Sequence, residues 1–405
     1  MKNTIFAMII ILLSCLTAFG GVELAVRAFT PQMSGVVVYG YDENLGAIPL
    51  PYQRGVKTPP AGGPSYWFSH NSMGFRGTKE YDTKKAAYRV LFIGDSFTYG
   101  VGVNDDQTFP YLAEKILQAK NYSVELINAG NPGVGSDYQL KLIQLYGEKL
   151  RADLVVLCFD WVDFYNNAEG QHFLVGEDGE LTSRKPDSYA VKKARIENLP
   201  GINWLLSWSQ AANLVKNSAF NFLRWLTKAA KKLERTFATP EVASKSNPVA
   251  PPAPVKINQI KPPAEFRNNP GAPDEGKYLL ENPPGYKELT KIYISQLIKT
   301  VRAQGSDILC CYMTQEPQVE HYRKSGQISP YERDFAEIVE SLGGKPYSLT
   351  SPLTVVPERL DLPYWGHWSP AATCEVAKFM ADRIEDWLQI RKCAEVKEEN
   401  LSRSD

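Results

Sequence analysis

From Tyr88 onward, short apolar runs and amphipathic segments take turns, and this alternation limits the fold more than any other feature of the chain. Arg89–Gly94 (RVLFIG) is an apolar run ending in glycine and predicts a buried strand. Gln107–Lys120 carries Phe109, Leu112, Ile116 and Leu117 at helical spacing. Ser123–Ala129 (SVELINA) predicts a second strand, Asp137–Leu150 a second helix and Asp153–Phe159 (DLVVLCF) a third strand. After a long break the pattern resumes. Lys287–Gln304 reads as a helix, Asp307–Met313 (DILCCYM) as a strand and Pro330–Leu342 as a helix. Pro346–Leu349 is a short strand and Ser369–Ile390 a terminal helix. Such alternation implies a three-layer α/β/α fold around a central parallel sheet of about five strands. Ligands of such sheets bind beyond the carboxyl ends of the strands.

The N-terminus adds a second constraint. Lys2 precedes Thr4–Val22, 19 residues without a charge, and charge returns at Glu23 and Arg27. Roughly 20 apolar residues span a bilayer. A cleaved signal usually has a shorter apolar core, so the run reads first as an uncleaved transmembrane helix. Leu12-Leu13-Ser14-Cys15 loosely resembles a lipobox, but Leu13 fits it poorly and the apolar run continues past Cys15. A buried core helix would show polar periodicity that this segment lacks. Lys2 and the free amine favour a cytoplasmic N-terminus, leaving the rest of the chain outside, or secreted if the segment is cleaved.

The segments between read less sharply. Residues 1–27 form the anchor or signal segment, and 28–66, rich in Pro, Gly and Tyr, read as an irregular stalk or wrapping segment. The main domain occupies 67–169 and returns at 287–392, and 393–405 is a charged tail. Residues 170–286 form an insertion with a Pro-rich linker at 240–284, a composition that builds no packed core. Within it, Trp204, Trp208 and Trp225 fit core packing or a glycan-stacking cleft, and Lys228–Arg235 fits a solvated helix face. Lys+Arg and Asp+Glu each number 45, so no basic excess points to nucleic acid. Six cysteines make no disulfide framework, and no Cys/His spacing suggests a metal site or other cofactor. Cys158, Cys310 and Cys311 lie in apolar runs and read as core.

The chemistry gathers at strand ends. Gly94-Asp95-Ser96-Phe97-Thr98-Tyr99-Gly100 follows the first strand directly. A serine at a strand-to-helix turn is exposed at the carboxyl edge, where it can act as a nucleophile or simply cap the next helix. Asn128-Ala129-Gly130 closes the second strand, and Asn131-Pro132-Gly133 adds turn signals. Phe159-Asp160-Trp161-Val162-Asp163-Phe164 follows the third. Trp365-Gly366-His367-Trp368-Ser369-Pro370 opens the last helix, and His367 is one of only four histidines, with His70, His172 and His321.

GDSFTYG is similar to the first block of the SGNH/GDSL hydrolase family, and its flanks Asn71–Gly77 and Gly100–Val103 resemble the membrane-anchored bacterial branch. Gly135 and Gln139 also fit the family pattern, and the likeness covers Trp67 to about Asn167 before returning near the C-terminus. The resemblance implies a flavodoxin-like SGNH fold and a nucleophile at Ser96. It also implies a general base at His367, and an oxyanion hole from the N–H groups of Ser96 and Gly130. Two positions depart. Val162 stands where the family carries an oxyanion-hole asparagine, and Asn131, Asn166 and Asn167 are nearby candidates to replace it. Tyr364 and Trp365 stand where the family carries the acid that orients the histidine, and the nearest acid is Asp361, six residues before His367. The expected function is an extracytoplasmic serine ester hydrolase or O-acetyltransferase. It would act on an acylated carbohydrate or small ester through an acyl-Ser96 intermediate. The alternative is an impaired SGNH fold that binds a glycan or a protein partner.

Overall fold

The computed structural model describes residues 2–32, 34–35, 38–59, 63–81, 88–169, 172–176, 178–186, 189–199, 201–219, 222, 282–357, 359–362 and 365–402. Trp225, Tyr364, the run Lys228–Arg235 and residues 240–281 of the expected linker lie outside them. The chain divides into two compact units. One comprises residues 1–37, 55–65 and 192–254, and the other residues 38–54, 66–191 and 255–405.

The second unit holds the sheet. Its strands are β1 (Tyr88–Gly94), β2 (Val124–Asn128), β3 (Leu154–Phe159), β4 (Asp307–Tyr312) and β5 (Pro346–Ser348), all parallel, in the order 2-1-3-4-5. This is the flavodoxin-like winding, whose order reverses between β1 and β3. Its longer helices include α1 (Phe109–Ala119), α2 (Ser136–Leu150), α3 (Trp161–Glu169), α4 (Tyr286–Ala303), α5 (Glu316–Ser325), α6 (Pro330–Ser341) and α7 (Pro370–Ser402).

Strand residues alternate between two cores because successive side chains point to opposite faces. Leu91, Ile93, Val155, Leu157 and Phe159 pack with α2, α3, α4 and α6. Val90, Phe92, Val156, Cys158 and Cys311 pack with α1 and α7. Both faces are covered, which explains why the strands read as continuous apolar runs. The expected strands and helices lie within a residue or two of those observed, except that the last helix runs on to Ser402.

Within residues 28–66, expected as an irregular stalk or wrapping segment, part of the chain is regular. Tyr39–Asp42 and Gly46–Pro49 form an antiparallel hairpin in the second unit, and Leu45 and Ile48 pack into its core. The aromatic and Pro/Gly content that suggested a stalk belongs here to a tight hairpin with a buried tip.

The first unit contains the N-terminal helix Lys2–Phe29, whose span Thr4–Phe29 has a mean hydropathy of 2.5 and is long and apolar enough to cross a membrane. It also contains the helix Ile202–Trp208 and the helical residues 210–219.

Candidate active site

The polypeptide leaves β1 at Gly94 and turns at once into a single helical turn, Ser96–Tyr99. Asp95 caps that turn by accepting a hydrogen bond from the Phe97 N–H at 2.9 Å. A side chain on residue 130 would come within 2.2 Å of the Tyr99 nitrogen, so only glycine lets the loop after β2 approach the Ser96 turn this closely.

His367 arrives from the far end of the sequence. It lies in a two-residue strand, His367–Trp368, paired antiparallel with Asp361–Leu362. Trp368 is buried beneath it, donating to the Thr314 carbonyl at 3.1 Å and packing on Phe97 with ring centroids 4.8 Å apart. Phe97 also stacks, tilted, at 4.6 Å from the His367 ring. The imidazole is thus fixed against the residue following the serine.

The result is a short contact: Ser96 Oγ lies 2.7 Å from His367 Nε2. The other ring nitrogen, Nδ1, lies 2.5 Å from the carbonyl oxygen of Trp365. A carbonyl only accepts, so Nδ1 carries the proton and Nε2 presents a lone pair to the serine hydroxyl. Gly366, at φ +59°, bends the backbone in the left-handed region between the two residues. Burial lowers the His367 pKa to about 4, against an opposing contribution from the Trp365 carbonyl, so the ring is neutral at pH 7. The hydroxyl has one weaker alternative, Asp95 Oδ2 at 3.4 Å.

The expected orienting acid, Asp361, is not brought to the histidine. In the antiparallel pair Asp361 sits opposite Trp368 and Leu362 opposite His367. Neighbouring residues of a strand face opposite sides, so Asp361 and His367 point away from each other. The Asp361 N–H donates to Glu316 Oε2 at 3.3 Å, and burial, with the charge of Glu316 nearby, raises the Asp361 carboxyl pKa to about 7. The Trp365 carbonyl occupies the orienting position, and Tyr364 lies outside the described residues.

The expected donors to an oxyanion fare unequally. The Gly130 N–H is beside the serine turn but donates to Asn128 Oδ1 at 3.1 Å. Asn131 does not supply its side chain: its amide nitrogen donates to the Ala47 carbonyl at 2.9 Å. The Asn166 amide donates to the Val134 carbonyl at 3.0 Å and the Asn167 amide to Thr290 Oγ1 at 3.1 Å. Val162 packs partly against the core. All three candidate amides are therefore committed elsewhere.

Beneath the serine the site is acidic. Burial raises the Asp95 carboxyl pKa to about 6, opposed by the N–H groups of Phe97 and Ser96. Asp160 and Asp163 stand well above the ordinary carboxylate range, through burial and then the charge of Asp95. Asp160 is held by the Trp161 N–H at 2.5 Å and Gln315 Nε2 at 2.7 Å, and Asp163 Oδ2 accepts from the Asp160 N–H at 3.0 Å. The other histidines serve elsewhere. His70 bonds the Tyr99 hydroxyl at 2.8 Å, His172 bonds Asp137 at 2.8 Å, and His321 contacts Ser325 at 3.3 Å.

Sequence reasoning did not assign a task to Arg76. Its side chain, buried, pairs with Asp105 and donates to the carbonyls of Val103 at 2.8 Å, Trp67 at 3.2 Å, Gly100 at 3.3 Å and Tyr99 at 3.4 Å. It braces the whole loop that follows the serine. The signal was the arginine inside Asn71–Gly77, a motif quoted above only for its likeness.

No protein-family model and no curated protein matches this chain. Among solved structures it is similar to the acetyl xylan esterase AlAXEase, at 12% identity over 73% of this chain and 99% of that one, with a TM-score of 0.37. It is similar to the psychrotrophic esterase EstA from Pseudoalteromonas sp. at 11% identity, over 74% of this chain and 98% of that one, with a TM-score of 0.36. TesA matches at 11% identity over 72% of this chain and 97% of that one, also with a TM-score of 0.36.

Proposed function

We propose that the chain is an SGNH-type ester hydrolase acting through a Ser96–His367 dyad, with the Trp365 carbonyl in place of the usual acid. The observation that carries this reading is the chain of contacts from Ser96 Oγ to His367 Nε2 at 2.7 Å and from Nδ1 to Trp365 at 2.5 Å. A nucleophile, a base within reach and a group orienting the base are the elements that activate a serine.

In the proposed cycle Ser96 Oγ attacks the ester carbonyl carbon while its proton passes to His367 Nε2. The tetrahedral intermediate collapses, the C–O bond to the alcohol breaks, and His367 returns the proton to the leaving oxygen. Water then repeats the sequence on the acyl-Ser96 ester, releasing the acid and restoring the hydroxyl. A sugar hydroxyl in place of that water would make the same chemistry an O-acyl transfer. Backbone N–H groups supply the oxyanion stabilisation, and Gly130 must exchange its Asn128 partner for the substrate oxygen. We place the substrate among acylated carbohydrates or small esters, and the site outside the cytoplasm, held by the N-terminal helix.

The commitment of Asn131, Asn166 and Asn167 elsewhere favours the second reading, a binding module on a hydrolase scaffold. Turnover of p-nitrophenyl acetate decides between them. The dyad reading expects hydrolysis by the wild-type chain and a loss of about a thousandfold or more in Ser96→Ala and in His367→Ala. Equal inertness of all three proteins, on this ester and on acetylated glycans, would leave the binding reading.

A further inference from the structure

The first unit leaves large apolar side chains exposed. Trp204 is 66% exposed and Trp208 39% exposed, although both sit on one short helix, Ile202–Trp208. Leu199 and Val215, in the segments on either side, are also exposed. A folded unit that leaves two tryptophans open is presenting them to something.

The contacts of this helix identify what. Phe19 of the N-terminal helix packs on Trp208 with ring centroids 6.1 Å apart, and Trp208 packs on Trp204 at 5.3 Å. Arg27 donates to the Trp208 carbonyl at 2.8 Å. Glu23, buried on the same helix, accepts from Ser209 Oγ and from the N–H groups of Gln210 and Ala211, each at 2.9 Å. Those N–H groups open the helical residues 210–219, and a carboxylate there satisfies otherwise orphaned donors. The two segments are therefore clasped at a fixed height along the N-terminal helix.

That height is the membrane boundary. The uncharged run Thr4–Val22 has 19 residues, and at about 1.5 Å per residue this is roughly the thickness of a bilayer's hydrocarbon core. Glu23 and Arg27 then lie at headgroup level, and the tryptophans clasped beside them lie there too. Tryptophan is enriched at that depth because its ring is apolar and its N–H polar.

We infer that residues 201–219 form a shelf lying in the lipid–water interface, with Trp204 and Trp208 inserted among the headgroups of the bilayer that the N-terminal helix crosses. The inference rests on reading that helix as a retained anchor. It also gives the helix a structural task, since removing it would take away Glu23 and leave the donors of Ser209, Gln210 and Ala211 without their partner.

The test uses the full chain reconstituted in phosphatidylcholine/phosphatidylglycerol vesicles. Bromine is carried either near the headgroup end of the acyl chain or near its terminus. The shelf predicts that tryptophan emission is quenched more by the shallow bromines than by the deep ones. It also predicts that this excess disappears in the Trp204→Phe/Trp208→Phe variant. Alkaline carbonate washing of the same vesicles reports the anchor separately. Retention with identical quenching in wild type and variant would overturn the shelf while leaving the anchor. Release by carbonate would overturn both, and the esterase reading would be untouched by either result.

Discussion

The loop after β1 and the loop after β3 end side by side at the point where the sheet order reverses, yet they have fared differently. The first is organised around Ser96, the proposed nucleophile: Asp95 caps the turn, Phe97 packs against the imidazole and Arg76 braces the chain beyond. The second carries two buried acids, Asp160 and Asp163, with Val162 between them, which on the proposed reading stands where a side-chain donor would stabilise negative charge. Proton transfer and charge stabilisation are thus separable in this site. On the proposed reading the first has its contacts in place, and the second depends on the backbone alone. An enzyme built this way attacks readily in principle but gains less in the transition state.

The largest expected effect tests the brace on the first loop. Arg76→Met removes the partner of Asp105 and strands several carbonyls, so unfolding in urea should lose about 3–5 kcal/mol of stability. A loss below about 1 kcal/mol would mean that the loop holds itself. Next comes the second loop. Val162→Asn restores a side-chain donor and should raise kcat on p-nitrophenyl acetate by about 10- to 100-fold. An unchanged rate would show that the donor does not reach the oxyanion.

The smallest expected effect separates the two accounts of how His367 is oriented. In a triad, loss of the orienting carboxylate costs about 10⁴ in kcat, whereas Asp361→Asn here should change it by less than about twofold. Stability should respond instead. A carboxyl whose pKa is raised in the folded state contributes fully below the ordinary carboxylate range, and that contribution is lost as pH rises through about 7. Wild type should therefore lose thermal stability relative to Asp361→Asn between pH 5 and pH 8, as melting curves over that range would reveal. A collapse of activity in the variant would restore Asp361 to the site.

The sheet, the serine turn and His367 were legible because each leaves a local mark. A buried parallel strand is an unbroken apolar run, and a Gly-Asp-Ser turn follows it directly. The Trp365 carbonyl that meets the imidazole was not legible, because a carbonyl is present at every residue and the bend at Gly366 aims this one. Asp361 misled because spacing counts residues and not faces. The register that pairs it with Trp368 turns it away from His367. The clasp of Glu23 on residues 209–211 joins positions 186 to 188 apart in sequence, beyond the reach of any local pattern.

The most direct test of the dyad is covalent. A fluorophosphonate ester forms a bond to a serine only when a base removes the hydroxyl proton as fluoride departs. Digestion and mass spectrometry of the treated chain should locate the adduct on Ser96, and labelling should slow by about a hundredfold or more in His367→Ala. An unmodified Ser96, or equal labelling rates with and without His367, would contradict the account.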